Sequence, residues 1–521
     1  MILCNSTQMR EMDRIAIEDR GIPGTDLMLK AAGHIAEAAL ERISPGGRAA
    51  VFCGTGNNGG DGIGAAAFLM EKGVPVRVFL LGSEEKLTGD SNEMLKRLLA
   101  LSGSIEPYIE SIELVDCIGK CDVIIDAMFG IGLNSDLRGD ALAATDMINS
   151  SGACVIAADI PSGVHADTGA ILGGAVAADI TVTFSQAKPG HFIEPGCTRC
   201  GEVRVRDIGI PHDLMEAAHL PSPEPCPLSP VPSKTFAVMP EDIKLPRRRP
   251  DSHKGDYGRC LIIAGSVGYT GAPAMCARAA SRMGAGLVFL GVPEPVYTIM
   301  AVKLDEEMPF PLPDDGEGKL TADAGNELLR RCAECDAVVI GPGLGRSPGI
   351  TELVTFLLHN VKTPVVLDAD GLNAIAGNID ILEKAACPLI LTPHLGEFAR
   401  LGGDLSGKDR LSAARDFAMS HNCVLVLKGH RTITALPDGT AYINTTGNPA
   451  MAKGGSGDVL SGMIAALVGQ KFQGWEAALT AVYLHGLAGD ICAAQYGEYS
   501  VSAGDMTAML PKAIKQLRND S

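Results

Sequence analysis

The sequence is short of positive charge. Its 44 lysines and arginines face 62 aspartates and glutamates, a formal net charge of −18 over 521 residues. Such a chain repels a polyanion, which argues against nucleic acid as a partner. The one basic cluster, Arg247-Arg248-Arg249, stands between Pro246 and Pro250 and reads as a solvated loop. Long apolar runs are missing too. No uncharged apolar stretch reaches 18 residues, and the start MILCNSTQMREMD has no apolar signal region. The expectation is a soluble, cytoplasmic protein with no membrane partner. A disulfide framework is also absent. The 15 cysteines are scattered through apolar runs such as AVFCG and GACVIAA, as buried thiols in a reducing compartment are. Two CxxC pairs, Cys197/Cys200 and Cys332/Cys335, are far apart, and the second sits in the helix-like run NELLRRCAECD. A shared zinc is disfavoured.

What is present is ample apolar material, 46% of the residues, enough for large cores. Composition breaks sharply at the proline-dense LPSPEPCPLSPVPSK, which can form neither helix nor central strand. The expected organisation is a first domain over 1–215, a linker over 216–235 and a second domain over 236–521. In the first, AAVFC (49–53), VRVFLL (76–81), DVIIDAM (122–128), ACVIAAD (153–159) and ITVTF (180–184) read as strands apolar on both faces. Helical patterns over 62–72, 90–101 and 139–151 separate them, and STQMREMDRIAIED opens the chain as a helix capped by Ser6 or Thr7. Doubly apolar strands alternating with helices mean a parallel sheet covered on both sides. The alternation resumes after the linker, at 260–266, 286–292, 337–343, 364–370, 388–394 and 423–430, and ends in helices from 458 onward. The fold class expected is α/β, two three-layer αβα domains.

Several strand ends carry chemistry. GTGNNGGDG (54–62) follows a strand and opens a helix, a turn suited to phosphate. No acidic residue closes the next strand, which disfavours a simple NAD-dependent dehydrogenase. Asp126 and Asp159 close two further strands. With Asn58 they could bind a cation through oxygen or move protons. Either aspartate alone is as readily a turn cap.

In the second half, GPGLGR (341–346), Asp368 and Asp370 in LDADGLNAI, His394 and Glu397 in LTPHLGEF, and VLKGHRT (426–432) all sit at strand ends. The stretch NPAMAKGGSGDVLSG then places Gly454, Gly455 and Gly457 before Asp458 at a helix start. Backbone amides converge there and favour an anion. Phosphoryl transfer needs neutralised charge, alignment and a base. Gly455–Gly457 fit the first need and Asp458 the last, and Glu397 could hold a magnesium water.

TQMREMDRIAIEDRGIPG, LMLKAAG, GTGNNGGDG, DAMFGIGL and ADIPSGV resemble, in order, the N-terminal domain of bifunctional NAD(P)H-hydrate repair enzymes. The resemblance implies a Rossmann-like epimerase that interconverts the R and S forms of NAD(P)H hydrate, NADHX and NADPHX, and binds potassium. It implies potassium ligands at Asn58, Asp126 and Ser162. Dinucleotide contacts would come from the loop Asn57, Asn58, Gly59, Gly60 and Asp61, and from Gly130, Ile131, Gly132, Leu133, Asn134, Ser135 and Asp136. Asp159 would touch the hydrated ring as acid/base. Lys30 departs from the family, which more often has an acidic residue there.

Residues 245–510 resemble the ribokinase-like superfamily, and within it the ADP- or ATP-dependent NAD(P)H-hydrate dehydratases, through HKGDYGRCLIIAGS, GPGLGR, TPHLGEFARL, LKGHRT and NPAMAKGGSGDVLSG. The resemblance implies Ala272, Gly343, His394 and Asp458 at the hydrate, with Asp458 as base. It implies Lys428, Gly429, His430, Arg431, Thr432 and Gly457 at the nucleotide; the phosphoryl donor is ADP or ATP, with ADP preferred, and magnesium is its expected ion. The alternatives are a vitamin-precursor kinase of the same superfamily, or an N-terminal half that only binds nucleotide and regulates. Apolar helices at both ends lead us to expect a homo-oligomer.

Overall fold

The computed structural model describes residues 1–87, 89–211, 213–214, 234–407 and 409–519. The segment expected as a linker, 216–235, lies outside these but for Lys234 and Thr235. The chain divides into two compact units, Ile2–Phe236 and Ala237–Ser521, with Met1 grouped with the second.

The first unit is a seven-stranded sheet in the order β3-β2-β1-β4-β5-β6-β7. Its strands are β1 (Ala49–Cys53), β2 (Val76–Leu80), β3 (Ile105–Pro107), β4 (Val123–Ala127), β5 (Cys154–Ala158), β6 (Ile180–Phe184) and β7 (Glu202–Arg206). Every pairing is parallel. Alternate residues of β1 show why its run is unbroken: Val51 and Cys53 pack into one apolar cluster, Ala50 and Phe52 into another on the opposite face. Helices cover both faces, as a doubly wound sheet requires. The order reverses between β1 and β4. Ligands of such sheets bind outside the carboxyl ends of the two strands at the reversal.

Two local expectations are corrected. The first helix, Ser6–Arg14, is capped by Asn5, not by Ser6 or Thr7. Asn5 accepts from the Gln8 amide, and the Gln8 side chain accepts from Asn5 in return. Asn57–Asp61 is not a loop. It is the first turn of the helix Asn57–Glu71, because Gly59 and Gly60 allow the turn to press against its surroundings. A Cβ on Gly59 would stand 1.9 Å from the Gly54 carbonyl oxygen.

The second unit is a ten-stranded sheet in the order β11-β10-β9-β12-β13-β14-β15-β16-β17-β8. The strands are β8 (Thr235–Ala237), β9 (Arg259–Ile263), β10 (Leu287–Pro293), β11 (Met308–Leu312), β12 (Ala337–Ile340), β13 (Val365–Leu367), β14 (Leu389–Leu391), β15 (Val424–Leu427), β16 (Ile433–Ala435) and β17 (Ala441–Ile443). β9 to β15 run parallel, but β15, β16 and β17 are joined antiparallel. β16 and β17, three residues each, are too short for an apolar run to announce them. Cys260 and Ile262 face the helices Gly271–Arg282 and Ser456–Gly469, while Leu261 and Ile263 are buried on the other side. The helix Gly474–Tyr496 is long and apolar enough to cross a membrane, yet most of it is buried in its own unit.

Candidate functional sites

At the reversal point of the first sheet lies a cavity of about 620 Å³. Its floor is the turn after β1 and the turn after β4. Asn57, Asn58 and Asp61 come from the first, and Gly130 to Ser135 from the second. Asp159 lines it from the end of β5. Gly59, Gly60 and Asp136 do not line it, and Asp136 is exposed. Lys30 also lies off the wall, with its ammonium against Gly209.

Asp159 sits in the left-handed region, φ +65°, where a non-glycine residue is held only by its surroundings. Those surroundings are Lys188 and His191, both buried. The Lys188 ammonium donates to Asp159 Oδ1 and to Thr183 Oγ1, and Thr183 Oγ1 donates to the same carboxylate oxygen at 3.0 Å. His191 Nδ1 accepts from the Lys188 amide, so its Nε2–H donates to the Asp159 carbonyl at 2.9 Å. Burial alone would raise the Asp159 carboxyl, but the Lys188 charge and its hydrogen bond outweigh burial and hold it below the usual range. Two neighbours behave oppositely. Burial, then repulsion from Asp159 and Asp13, pushes Asp61 well above an ordinary carboxyl. Burial lifts Asp13 to about 6, although Lys188 pulls it down. One cavity thus contains a carboxylate held ionised and two carboxyls of raised proton affinity, Asp61 most of all.

Beside this cavity, Asp126 and Ser162 are buried and locked together. Ser162 donates through its backbone N at 2.8 Å and its Oγ at 2.6 Å to the two Asp126 oxygens. Asn58 lies against Gly130, and neither atom of its amide has a hydrogen-bond partner although both are buried. An orphaned amide beside a buried carboxylate and a hydroxyl is an oxygen-rich set. It fits a weakly hydrated monovalent cation better than a metal that prefers nitrogen or sulfur.

In the second unit the ends of β13, β14 and β15 converge on the start of the Ser456–Gly469 helix. Asp368 is fully buried after β13. Lys428, after β15, donates to its Oδ1 at 2.8 Å, and Ser461 donates to its Oδ2 at 2.5 Å. Gly457 fits here because it has no side chain: a Cβ would lie 3.1 Å from the Lys428 ammonium. Gly455 takes φ +98° to begin the helix and leaves space for Met275. Asp458 is in the first turn, half-buried, and hydrogen-bonds to no described residue. Burial first, then the negative charge of Asp368, pushes its carboxyl up to about 7 against the opposing pull of Lys428.

His394 caps the helix Leu395–Arg400, and its Nδ1 accepts from the amides of Gly396 and Glu397. Glu397 Oε2 in turn accepts from the His394 amide at 2.9 Å and lies 3.9 Å from Lys428 Nζ. One Glu397 oxygen is therefore engaged by backbone. What it can offer magnesium is a water-bridged contact, not a cage. Gly343 lies next to Ala272, 3.2 Å from its Cβ to an added one. Gly429 to Thr432 form an open turn in which Thr432 Oγ1 donates to Gly429 O and Arg431 Nη1 to Thr445 O. Lys428 does not extend into that turn, because its charge is committed to Asp368.

The sequence reading had not singled out Lys188, Asp13, Arg10 or Ser461. Arg10 and Asp13 lie on the first helix at the cavity mouth, and Arg10 Nη2 lies 3.4 Å from Ile131 O. The only available signal for Lys188 was a lysine four residues past a strand end, in SQAKPGH.

The chain matches the model of a family described as NAD(P)H-hydrate dehydratase over residues 260–512, and one described as YjeF-related protein N-terminus over residues 24–190. A protein of Moorella thermoacetica named bifunctional NAD(P)H-hydrate repair enzyme Nnr is 40% identical over 532 residues, which cover 100% of this chain and 98% of that protein. The protein of the same name from Thermofilum pendens is 38% identical over 525 residues, covering 100% and 97%. Among solved structures, the ADP/ATP-dependent NAD(P)H-hydrate dehydratase of Bacillus subtilis, co-crystallized with ATP and Mg2+, is 33% identical. It covers 54% of this chain and 98% of that one, with a TM-score of 0.47. With a strand-and-helix parallel sheet in each unit and full-length likeness to these relatives, the chain belongs to the family of bifunctional NAD(P)H-hydrate repair enzymes.

Proposed function

We propose that this chain repairs hydrated nicotinamide cofactors: the first unit epimerises R- and S-NAD(P)H hydrate, and the second dehydrates the S form at the expense of ADP, giving AMP and phosphate. The observation that carries the reading is Asp458. It is a carboxyl whose side chain forms no hydrogen bond with a described residue, with its pKa pushed up to about 7, in the first turn of a glycine-preceded helix. A base with a pKa near the working pH is suited to taking a proton in the transition state.

In the second unit, Asp458 takes the proton of the C6 hydroxyl while that oxygen attacks the terminal phosphorus of ADP, and AMP leaves. The ring nitrogen lone pair then expels phosphate from C6. The resulting iminium loses its C5 proton, which restores the dihydronicotinamide. Asp368 and Lys428 neutralise one another and fix the floor under the helix start. The 429–432 turn and Gly457 hold the nucleotide, and Ala272, Gly343 and His394 hold the hydrate. Magnesium, held through Glu397 and water, would supply charge neutralisation on the phosphates.

In the first unit, ionised Asp159 takes the proton of the ring hydroxyl as the C6–N1 bond opens to an aldehyde and the ring nitrogen takes a proton from Asp61; closure of the nitrogen on the other face of the aldehyde reverses both transfers and gives the other epimer. The 57–61 turn and the segment 130–136, with Arg10, hold the dinucleotide phosphates. Potassium would be held by Asn58, Asp126 and Ser162, where it offsets the Asp126 charge and steadies the turn after β4. Every described cysteine is free, which supports a protein that works in the reducing cytoplasm.

The test is incubation of purified protein with mixed NADH hydrates and ADP or ATP. Absorbance should return at the reduced-nicotinamide band, with one free phosphate per NADH. Accumulation of a phosphorylated substrate without NADH would make the chain a kinase instead.

A further inference from the structure

The basic cluster read from the sequence as a solvated loop does not stand alone. Arg247, Arg248 and Arg249 line a concave pocket of about 790 Å³ in the second unit, together with Arg282 and Arg518. Five guanidinium groups meet there against a single carboxylate among the lining residues, Asp256. In a chain of net charge −18 this is a sharp local reversal. The arginines arrive from three separate segments: the 247–249 stretch, the end of the Gly271–Arg282 helix and the end of the chain's last helix, Ala503–Asn519.

The pocket is remote from the site just described. Tyr257 and Gly284, on its wall, immediately precede β9 and β10, so it lies at the amino ends of the strands. The catalytic groups lie at the carboxyl ends. Along the Ser456–Gly469 helix, Asp458 stands near the first residue and Gln470, a pocket residue, just past the last. That is a rise of roughly 18 Å at 1.5 Å per residue.

Two of the five arginines have an ordinary explanation. Arg248 Nη2 donates to the Gly284 carbonyl at 2.6 Å and lies over the Tyr257 ring, and Arg518 Nη2 donates to the Pro246 carbonyl at 3.0 Å. They tie the 246–248 loop to Gly284 and to the last helix. Arg249 has only loose partners, Asp251 at 3.8 Å and Asp256 at 3.9 Å. Arg247 and Arg282 form no ion pair or hydrogen bond with a described residue. Three guanidiniums therefore remain uncompensated around a concave space. Below them the wall is apolar: Leu245, Met283, Leu467, Phe472 and Ile514.

We propose that this pocket binds a small organic phosphate, its phosphates on Arg247, Arg249 and Arg282 and its carbon body on the apolar wall. Guanidinium matches phosphate in planar geometry and charge. A cavity of this volume accommodates a nucleotide-sized ligand. The apolar wall favours such a molecule over inorganic phosphate.

Calorimetric titration of the full chain at low ionic strength tests this, with ADP, NADPH and inorganic pyrophosphate as probes against Arg247→Ala/Arg282→Ala. The expected result is one more equivalent of ADP or NADPH bound by the parent than by the double variant. Pyrophosphate binding at that equivalent should weaken at least about tenfold, the effect of one lost charge-assisted contact. KM for ADP and kcat of dehydration should stay unchanged in the variant. Arg282→Ala alone repeats the measurement should the double variant lose its fold. Identical isotherms for parent and variant would overturn the site, and pyrophosphate binding there more tightly than either organic probe would overturn the ligand class. The titration counts equivalents bound and needs no turnover, so its failure is separate from any failure of the repair reading.

Discussion

The two units solve one problem in opposite ways. Each has a buried aspartate at the end of a parallel strand, and each gives that aspartate a lysine: Asp159 with Lys188, Asp368 with Lys428. In the first unit the paired aspartate itself borders the cavity, and the lysine keeps it ionised. In the second the pair is a foundation, and the free carboxylate Asp458 stands beside it with its proton affinity raised. The allocation of one cation, more than the type of acid, decides which carboxylate is charged at neutral pH. A lysine committed to one carboxylate also leaves its neighbours exposed to repulsion, as Asp61 and Asp458 both show.

The comparison is broken most severely at Asp458. Asp458→Asn should lower dehydration by about 10²–10⁴-fold and leave ADP affinity near the parent's, read by NADH formation and by nucleotide titration. Lost ADP affinity with turnover intact would reverse the roles. Next is the pair in the first unit. Lys188→Met strands Asp159 in a closed interior, so unfolding in urea should show a loss of about 3–5 kcal/mol, with epimer exchange abolished. Lys428→Met, at a partly open site, should cost less. Equal losses would mean that burial does not distinguish the pairs.

The pH dependences differ in sign. The folded pKa of Asp458, about 7, lies above an unfolded value of about 3.9, so the folded chain binds that proton more tightly. The stabilisation is complete below the unfolded value and is lost as pH rises toward 7. Asp458→Asn should therefore be more stable than the parent above pH 7 and lose that margin below pH 4, measured by urea unfolding across the range. The dehydration rate should rise with pH through about 7 and then level. Asp159 contributes the other way, because its depressed pKa supplies stability above its unfolded value that is lost only in acid. The smallest effect expected is at the cation site. Potassium chloride should raise the unfolding midpoint over sodium chloride by the equivalent of about 1 kcal/mol, and Asn58→Ala should remove that difference.

Much of this was legible because apolar pattern and turn chemistry are local. The strands at 49–53 and 180–184 were readable to the residue, since every position of each is buried and carries a β-favouring or apolar side chain. The short strands β16 and β17 were not, since three residues leave no period to detect. His394 and Glu397, three apart in LTPHLGEF, meet because i and i+3 positions face one another where a helix begins. Arg247–Arg249 are exposed loop residues, as the sequence suggests; that the loop is also one side of a pocket was not legible, because the apolar wall, Arg282 and Arg518 come from far along the chain.

By itself the sequence determined the alternation of strand and helix, the glycine turns at strand ends and the acids stationed beside them. Hydrophobic period and backbone sterics act within a few residues, so they are written locally. Only the tertiary structure decided which lysine reaches which acid, and therefore which carboxyl is charged. That choice depends on separations in space and on burial, and pairs such as Asp159 with Lys188 or Asp368 with Lys428 lie 29 and 60 residues apart in the chain.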